Sequence, residues 1–411
     1  MPRDYSWPEG HWGWPVPLTH KHGVRADRFI FTGGQADLDA QGQVVHPNDL
    51  QAQVDRVFDY MHAVLADLGA DTRDLVRLVV YYVGDHHDEA RILALLGARL
   101  DGAARPVVNT IPVPELCYPG MRIELEGVAL RAVAGCHEIE QQCIRLESLP
   151  ALAQPFSHLV VVDDLVFTSD MSAVSPEGTV AHPGDMASQT ETMMAQLESA
   201  LRAAGAGFDD VLKLNTFYVG QGTAEDWERP ALIRQSCFRD PGPAATGIPL
   251  PALGAPGLLT KIAATAARTP ASSRQTRPTR QFSWPDGHWN WTTALPYKHG
   301  NRYGKLIHLG GQVSLDRDAR VIDPDDMVAQ TTRALSYIET VLADLGATLD
   351  DVVKVTTFYQ GNASAHALHE NLCVRSRAFT DPGPATSGIP VPSLVYQHMC
   401  VEIEVIAVVD A

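Results

Sequence analysis

Nowhere in the 411 residues is there an unbroken apolar run of about 18, the length a helix needs to cross a bilayer. No membrane partner is expected. The opening residues Met1-Pro2-Arg3-Asp4-Tyr5-Ser6-Trp7 have no basic segment leading into an apolar one, and the expected location is the cytoplasm. Cysteine is sparse. Cys117, Cys136, Cys143, Cys237, Cys373 and Cys400 are scattered without a Cys-x-x-Cys pair, which reads as reduced, structural thiols. Positive charge is short as well: 32 Lys and Arg against 49 Asp and Glu leave a formal net charge of −17. Such a surface repels a polyanion, so nucleic acid is not an expected partner. There is no phosphate loop, dinucleotide fingerprint, Gly-x-Ser-x-Gly elbow or His-Glu-x-x-His pair. Neither a cofactor nor a metal is expected.

What the chain has is repetition. Its length suits two to four domains, and four landmarks recur in one order. Gly33-Gly34-Gln35 returns as Gly310-Gly311-Gln312, with Ser169-Asp170 at the corresponding place between them. An acidic-plus-Gln helix start appears as Asp49 to Gln53, Asp185 to Gln189 and Asp326 to Gln330, the glutamines 136 and then 141 residues apart. Paired aromatics follow at Tyr81-Tyr82, Phe217-Tyr218 and Phe358-Tyr359. Ile111-Pro112-Val113-Pro114, Ile248-Pro249-Leu250-Pro251 and Ile389-Pro390-Val391-Pro392 close each unit. A period this long means tandem domains, not a solenoid. The copies are expected over 1–135, 136–267 and 281–411. The acid-free, Pro/Ser/Thr-rich stretch 268–280 reads as a linker.

Within the first copy, Arg28 to Gln35 reads as a strand. Asp49 to Gly69 reads as a helix, with Val54, Val57, Phe58, Met61, Leu65 and Leu68 on one stripe, Asp49 as cap and Gly69 as stop. Leu75 to Gly84 is a strand, Asp88 to Leu100 a second helix, and Val107 to Leu116 and Arg122 to Leu130 further strands. The class is α+β with order β(β)αβαββ, both helices packed on one sheet face.

These motifs and the closing Val401-Glu402-Ile403-Glu404-Val405-Ile406-Ala407 together resemble the RidA (YjgF/YER057c/UK114) family, whose fold is similar to small trimeric chorismate mutase. The resemblance covers nearly the whole chain. It implies an intrachain pseudo-trimer with up to three unequal clefts between copies, acting as a monomer or as a dimer of pseudo-trimers. The family's deaminase branch holds a substrate carboxylate with Arg in a Pro-x-Arg-[Ser/Thr] stretch. Here that position falls on Val108, Ala245 and Thr386, so no copy keeps it. The family's acid falls on Glu124 and Glu402, with Lys261 in the middle copy. The family's aromatic, fifteen residues before the Gln, falls on His20 and Tyr297. The middle copy is expected to be structural.

The first and third copies also share Ser6-Trp7-Pro8-Glu9-Gly10-His11-Trp12-Gly13-Trp14 and Ser283-Trp284-Pro285-Asp286-Gly287-His288-Trp289-Asn290-Trp291. Lys21-His22-Gly23-Val24-Arg25 and Lys298-His299-Gly300-Asn301-Arg302 follow them. Six of the seven Trp lie in these segments. Only Trp227 lies outside, and it is expected to have no part in ligand binding. One reading makes the segments an aromatic-walled pocket for a planar ligand; the other makes them staples that hold an arm to the sheet. The candidate catalytic residues are His22, His299, Glu124 and Glu402, imidazole being suited to proton transfer near neutrality. The candidate substrate-binding residues are His11, Trp12, Trp14, His20, Arg25, His288, Trp289, Trp291, Tyr297 and Arg302. The expected function is acid–base chemistry (tautomerisation, dehydration or cyclisation) on a reactive enamine, imine or enol small molecule, aromatic or apolar, in specialised biosynthesis. The alternatives are imine or enamine deamination of a non-carboxylate substrate and a non-catalytic binding or chaperone-like module. RNA cleavage ranks last because of the charge.

Overall fold

The computed structural model describes residues 3–410 apart from 101, 103, 134–138, 270–277 and 363–364. The join at Cys136 and most of the expected linker lie outside the described residues. Each copy forms one seven-stranded sheet. In the first, the spatial order is Arg3–Ser6, Gly23–Ala26, Phe29–Thr32, Ile123–Leu130, Leu75–Tyr82 and Val107–Pro112, with Gln35–Ala36 added against Ile123–Leu130. Leu75–Tyr82 and Val107–Pro112 run parallel because a helix connects them. The helices are α1 (Leu50–Asp67) and α2 (His86–Arg99), then α3 (Met186–Ala203) and α4 (Ala224–Gln235), then α5 (Met327–Asp344) and α6 (His366–Ala378). None of the described helices is long and apolar enough to cross a membrane.

The expected first helix is present, with the Asp49 side chain accepting from the Ala52 N–H and Gly69 at φ +73 just past its end. The expected strand from Arg28 to Gln35 is broken in two. At the break, the Gly33 N–H donates to His22 O and the Gly34 N–H to Thr386 O of the third copy, so the backbone here bonds outside its own ladder. A further strand, Arg3–Ser6, lies where the alternating signal is masked by Trp and Pro. It pairs antiparallel with Gly23–Ala26, and Arg280–Ser283 repeats the arrangement on Gly300–Tyr303.

The recurrent glutamines have a single structural cause. Gln53 is fully buried. Its amide donates to His46 O at 2.8 Å and Gly120 O at 2.7 Å and accepts from the Arg122 N–H at 2.6 Å. Gln189 and Gln330 do the same in their copies. Each ties its helix to the loop before the last strand, satisfying backbone groups that burial would otherwise leave unpaired.

The copies close into a ring. Gly34 N–H bonds Thr386 O at 3.0 Å, Gly311 N–H bonds Ala245 O at 3.1 Å, and Ser157 N–H bonds Pro106 O at 3.0 Å, joining the first copy to the third, the third to the second, and the second to the first. The helices lie outside, α1 burying Val54, Val57, Phe58, Met61 and Leu65 on its sheet. The inner sheet faces share one core to which every copy contributes, including Val24 and Phe31, Val160 and Leu212, Leu306 and Val353. The chain is thus an intrachain pseudo-trimer, and packing its sheets together covers the face that the helices leave open.

Candidate active clefts

At each junction the last strand and the turn of one copy, Gly-Gly in the first and third and Ser169-Asp170 in the second, face the second helix of its neighbour. In the first copy a Cβ added to Gly34 would stand 1.8 Å from Glu124 Oε1. In the third, one added to Gly311 would stand equally close to Glu402 Oε1. Glycine is required there because the carboxyl occupies the space a side chain would take. Burial pushes both carboxyls up to about 8. Glu126 adds to the effect at Glu124, and Lys213 offsets part of it at Glu402. Each is therefore a protonated acid at neutral pH.

The cleft between the second and third copies is the richer. Glu402, Trp291, Leu295, Tyr297 and Val395 line it from the third copy. Tyr218, Trp227, Ala231, Arg234, Ala245 and Gly247 line it from the second. Two of its buried donors, Tyr218 OH and Trp227 Nε1, have no hydrogen-bond partner, while the Arg234 guanidinium and the Tyr297 hydroxyl interact with each other. Buried polar groups are paired as a rule; two unpaired donors beside a guanidinium mark a place for a ligand that brings acceptors. Trp227 lies 5.6 Å from Trp291 and 5.9 Å from Tyr396, centroid to centroid. The expectation that Trp227 stands apart is therefore corrected: α4 carries it into this cleft.

The cleft between the first and third copies is smaller, lined by Trp12, Trp14, Gly34, Tyr118 and Glu124 facing Leu368, Thr386 and Gly388. Arg375 of α6 is fully buried behind that wall. Its Nη1 donates to Thr386 Oγ1 at 2.7 Å and its Nε to Asn371 Oδ1 at 3.0 Å, while Nη2 has no partner. Burial lowers this guanidinium to about 10, still charged at neutrality. Cys117 also lines this cleft, but burial pushes its thiol well up, so it is no thiolate nucleophile.

The third junction, between the second and first copies, is filled. Lys261 stands in place of the acid and Asp170 in place of the glycine, and their charged atoms lie 3.2 Å apart. Lys261 Nζ donates to Thr110 O and to Thr110 Oγ1. Asp170 accepts from the Thr110 N–H at 2.9 Å and Asn109 Nδ2 at 3.0 Å. Glu89 of α2 accepts from Thr110 Oγ1 at 2.6 Å and Tyr82 OH at 2.8 Å. Gly-with-Glu and Asp-with-Lys are alternative fillings of one space, and the second occupies it with a satisfied ion-pair network.

The other residues singled out from the sequence form the frame behind these clefts. His11 bonds Gln35 Oε1 at 2.7 Å through Nε2, and His288 bonds Gln312 Oε1 at 2.8 Å; Trp289 Nε1 donates to the same Gln312 oxygen at 3.2 Å. The Gly-Gly-Gln and Trp/His motifs are thus two halves of one contact. His22 is buried among Trp7, Trp12, Trp14 and His11, its Nε2 on Trp12 O at 2.9 Å. His299 sits likewise on Trp289 O at 3.0 Å. Neither ring lines a cleft. Burial first, then the neighbouring histidine, holds both well below 6.5. His20, at the position of Tyr297, is fully buried with its ring 5.8 Å from Phe379. Arg25 donates to Leu68 O and Ala132 O, and Arg302 to Leu345 O and Asp410 O; each thus ties the end of α1 or α5 to the backbone just past the last strand of its copy, and neither enters a cleft. His11, His20 and His22 do not assemble as metal ligands. Among the described residues, the one grouping with ligand atoms close enough is Asp85, His86 and His87, where Asp85 is already the cap of α2.

Sequence reasoning missed Arg234 and Arg375. It looked for a guanidinium on the strand, where Ala245 and Thr386 stand, and the guanidinium arrives from the neighbouring helix instead. A signal was present: the two arginines are 141 residues apart, the same interval as Gln189 and Gln330.

The family described as Endoribonuclease L-PSP matches residues 17–131, 147–268 and 290–409. A RutC family protein of Pyrococcus abyssi is 31% identical over 112 residues, 27% of this chain and 85% of that protein. The 2-iminobutanoate/2-iminopropanoate deaminase of Dermatophagoides farinae is 27% identical over 115 residues, 28% of this chain and 87% of the enzyme. A solved chorismatase covers 82% of this chain and 93% of its own with a TM-score of 0.53 at 14% identity, a likeness of fold. A solved Mycobacterium tuberculosis protein of the YjgF/YER057c/UK114 family is 30% identical over 32% of this chain and 100% of its own, with a TM-score of 0.28.

Proposed function

The chain belongs to the endoribonuclease L-PSP family, the RidA family of the resemblance, in three fused copies, and from that premise we propose that it is a small-molecule acid–base enzyme working in the cleft between the second and third copies. The observation that carries this reading is the gathering of two unpartnered buried donors and the Arg234 guanidinium around a carboxyl that burial raises to about 8. Glu402 is the proton carrier. Arg234 takes an anionic oxygen of the substrate, the tyrosine hydroxyls take further acceptors, and Trp227 and Trp291 flank an apolar or aromatic body. An enamine, imine or enol carrying a carboxylate meets all three demands. Protonating its carbon or nitrogen while removing a proton elsewhere is tautomerisation; loss of water after protonation of a hydroxyl is dehydration; attack of a nucleophile of the same molecule on the carbon activated by protonation, with loss of that nucleophile's proton, is ring closure. His22 and His299 act through the tryptophans they hold in place, and Glu124 serves the smaller cleft.

The second reading is imine hydrolysis: Glu402 protonates the imine nitrogen, water adds to the carbon, and ammonia leaves. Arg234 favours it, since the deaminase relative is named for two imino acids that bear a carboxylate. Release of ammonia separates the two readings. RNA cleavage, which the family description names, is disfavoured by the net charge of −17.

The test is binding of phenylpyruvate and of its neutral amide, read from tryptophan fluorescence. The carboxylate should quench saturably and the amide should bind more weakly. Arg234→Met should weaken the carboxylate roughly 10–150-fold, the worth of a hydrogen bond to a charged group, and leave the amide unchanged. Equal affinity for the two compounds in both proteins would remove Arg234 from substrate recognition. A second expected result separates the clefts: Trp227→Phe should abolish most of the quench, and Trp12→Phe little of it.

A further inference from the structure

On the pseudo-threefold axis, beside the ring trio Tyr81, Phe217 and Phe358, lies a cavity to which all three copies contribute. One strand position supplies a basic side chain three times: Arg77, Lys213 and Lys354. One position of the last strand supplies a carboxylate only twice, Glu126 and Glu404; the third is Ala263. Two ion pairs close across copies, Lys354 to Glu126 at 3.1 Å and Lys213 to Glu404 at 2.7 Å. The same rotation puts the partner of Arg77 at position 263, where the side chain stops at a methyl group.

Arg77 accordingly donates to neutral acceptors, Thr265 Oγ1 at 3.1 Å and Ala264 O at 2.7 Å, and its Nε has no partner. The surface it retains is the cavity wall. Opposite, His308 is buried with both ring nitrogens unpartnered. The two carboxylates whose charges reach Arg77, Asp170 and then Glu404, are already paired with Lys261 and Lys213. Three cations against two carboxylates leave one positive charge over, and an uncompensated charge in a buried site is costly.

We infer that this axial cavity binds one small monoanion, a halide or a formate-sized carboxylate, beside Arg77 in the space a glutamate at position 263 would fill. The site is separate from the substrate cleft, and the inference does not rest on the proposed activity.

Thermal unfolding at constant ionic strength, with sodium gluconate replaced stepwise by sodium formate or sodium chloride, tests it. A specific ligand raises the unfolding temperature saturably. The wild type should respond to at least one of the two anions, and the anion that acts identifies the ligand. Ala263→Glu supplies the carboxylate internally and should unfold at higher temperature in gluconate with no further response. Arg77→Met should lose the response. In wild-type crystals soaked in sodium bromide, an anomalous peak should appear in contact with the Arg77 guanidinium, a readout that holds even if a variant does not fold. No saturable response together with no bromide peak would overturn the inference, as would a response undiminished in both variants.

Discussion

Glu402→Gln is expected to lower turnover roughly 10²–10⁴-fold, the usual worth of a positioned acid or base, with the fold intact by circular dichroism. The glutamine keeps the shape, the burial and the contact with Gly311 but has no proton to give. Because burial holds the Glu402 pKa at about 8, catalysis that uses it as an acid should be at full rate below pH 8 and fall tenfold per unit above. The residual rate of the variant should be flat across that range. Glu124→Gln should leave most of the turnover in place, since its cleft is smaller and its arginine is tied to Thr386. The same shift has a sign for stability. Between pH 4.5, the ordinary value, and about 8, the folded chain keeps protons that the unfolded chain has released. Stability therefore declines as pH rises through this window. Either glutamine variant should lessen the decline. Undiminished turnover by Glu402→Gln on a substrate the wild type converts would move the chemistry to another cleft.

Lys261→Ala should destabilise the chain by about 3–5 kcal/mol, the usual result of stranding one member of a buried pair. The lysine side chain is 6% exposed and its partner Asp170 15%, so water cannot take over the role of the ammonium group. Thr110 O and Thr110 Oγ1 lose a donor in the same step. Urea unfolding followed by fluorescence measures the loss. Asp170→Gly combined with Lys261→Glu restores the pairing used by the other two copies and should recover much of the stability. It should not create a third working cleft, because α2 offers Leu96 where α4 and α6 offer arginine. A Lys261→Ala protein as stable as the wild type would mean that the junction does not depend on the ion pair.

The parts of this fold that repeat were the parts legible in the sequence. Capping aspartates and buried glutamines recur because each satisfies the same local backbone in every copy, and the closing Ile-Pro segments recur as the parallel edge strand of every sheet, so aligning the copies exposes them without a structure. The carboxyl positions Glu124 and Glu402 came from the family resemblance instead. Contacts between copies were harder. Whether Trp227 meets Trp291 depends on which copy abuts which, and nothing local in α4 states it. The histidines drew attention because imidazole is versatile, yet His22 and His299 stand beside tryptophans whose carbonyls they bond, a role that composition cannot separate from a catalytic one. Arg234 and Arg375 were overlooked because a guanidinium on a long stem reaches the same point from a helix as from a strand, and only the strand was searched.

Fusion of the copies also changes the genetics of the assembly. In a ring of identical subunits, one codon change alters every junction at once, so an interface cannot be closed without closing all of them. Here Lys261 and Asp170 were free to seal a single junction while Glu402 and Arg234 kept another open. An irreversible active-site label should therefore titrate to fewer than three equivalents per polypeptide, the sealed junction taking none.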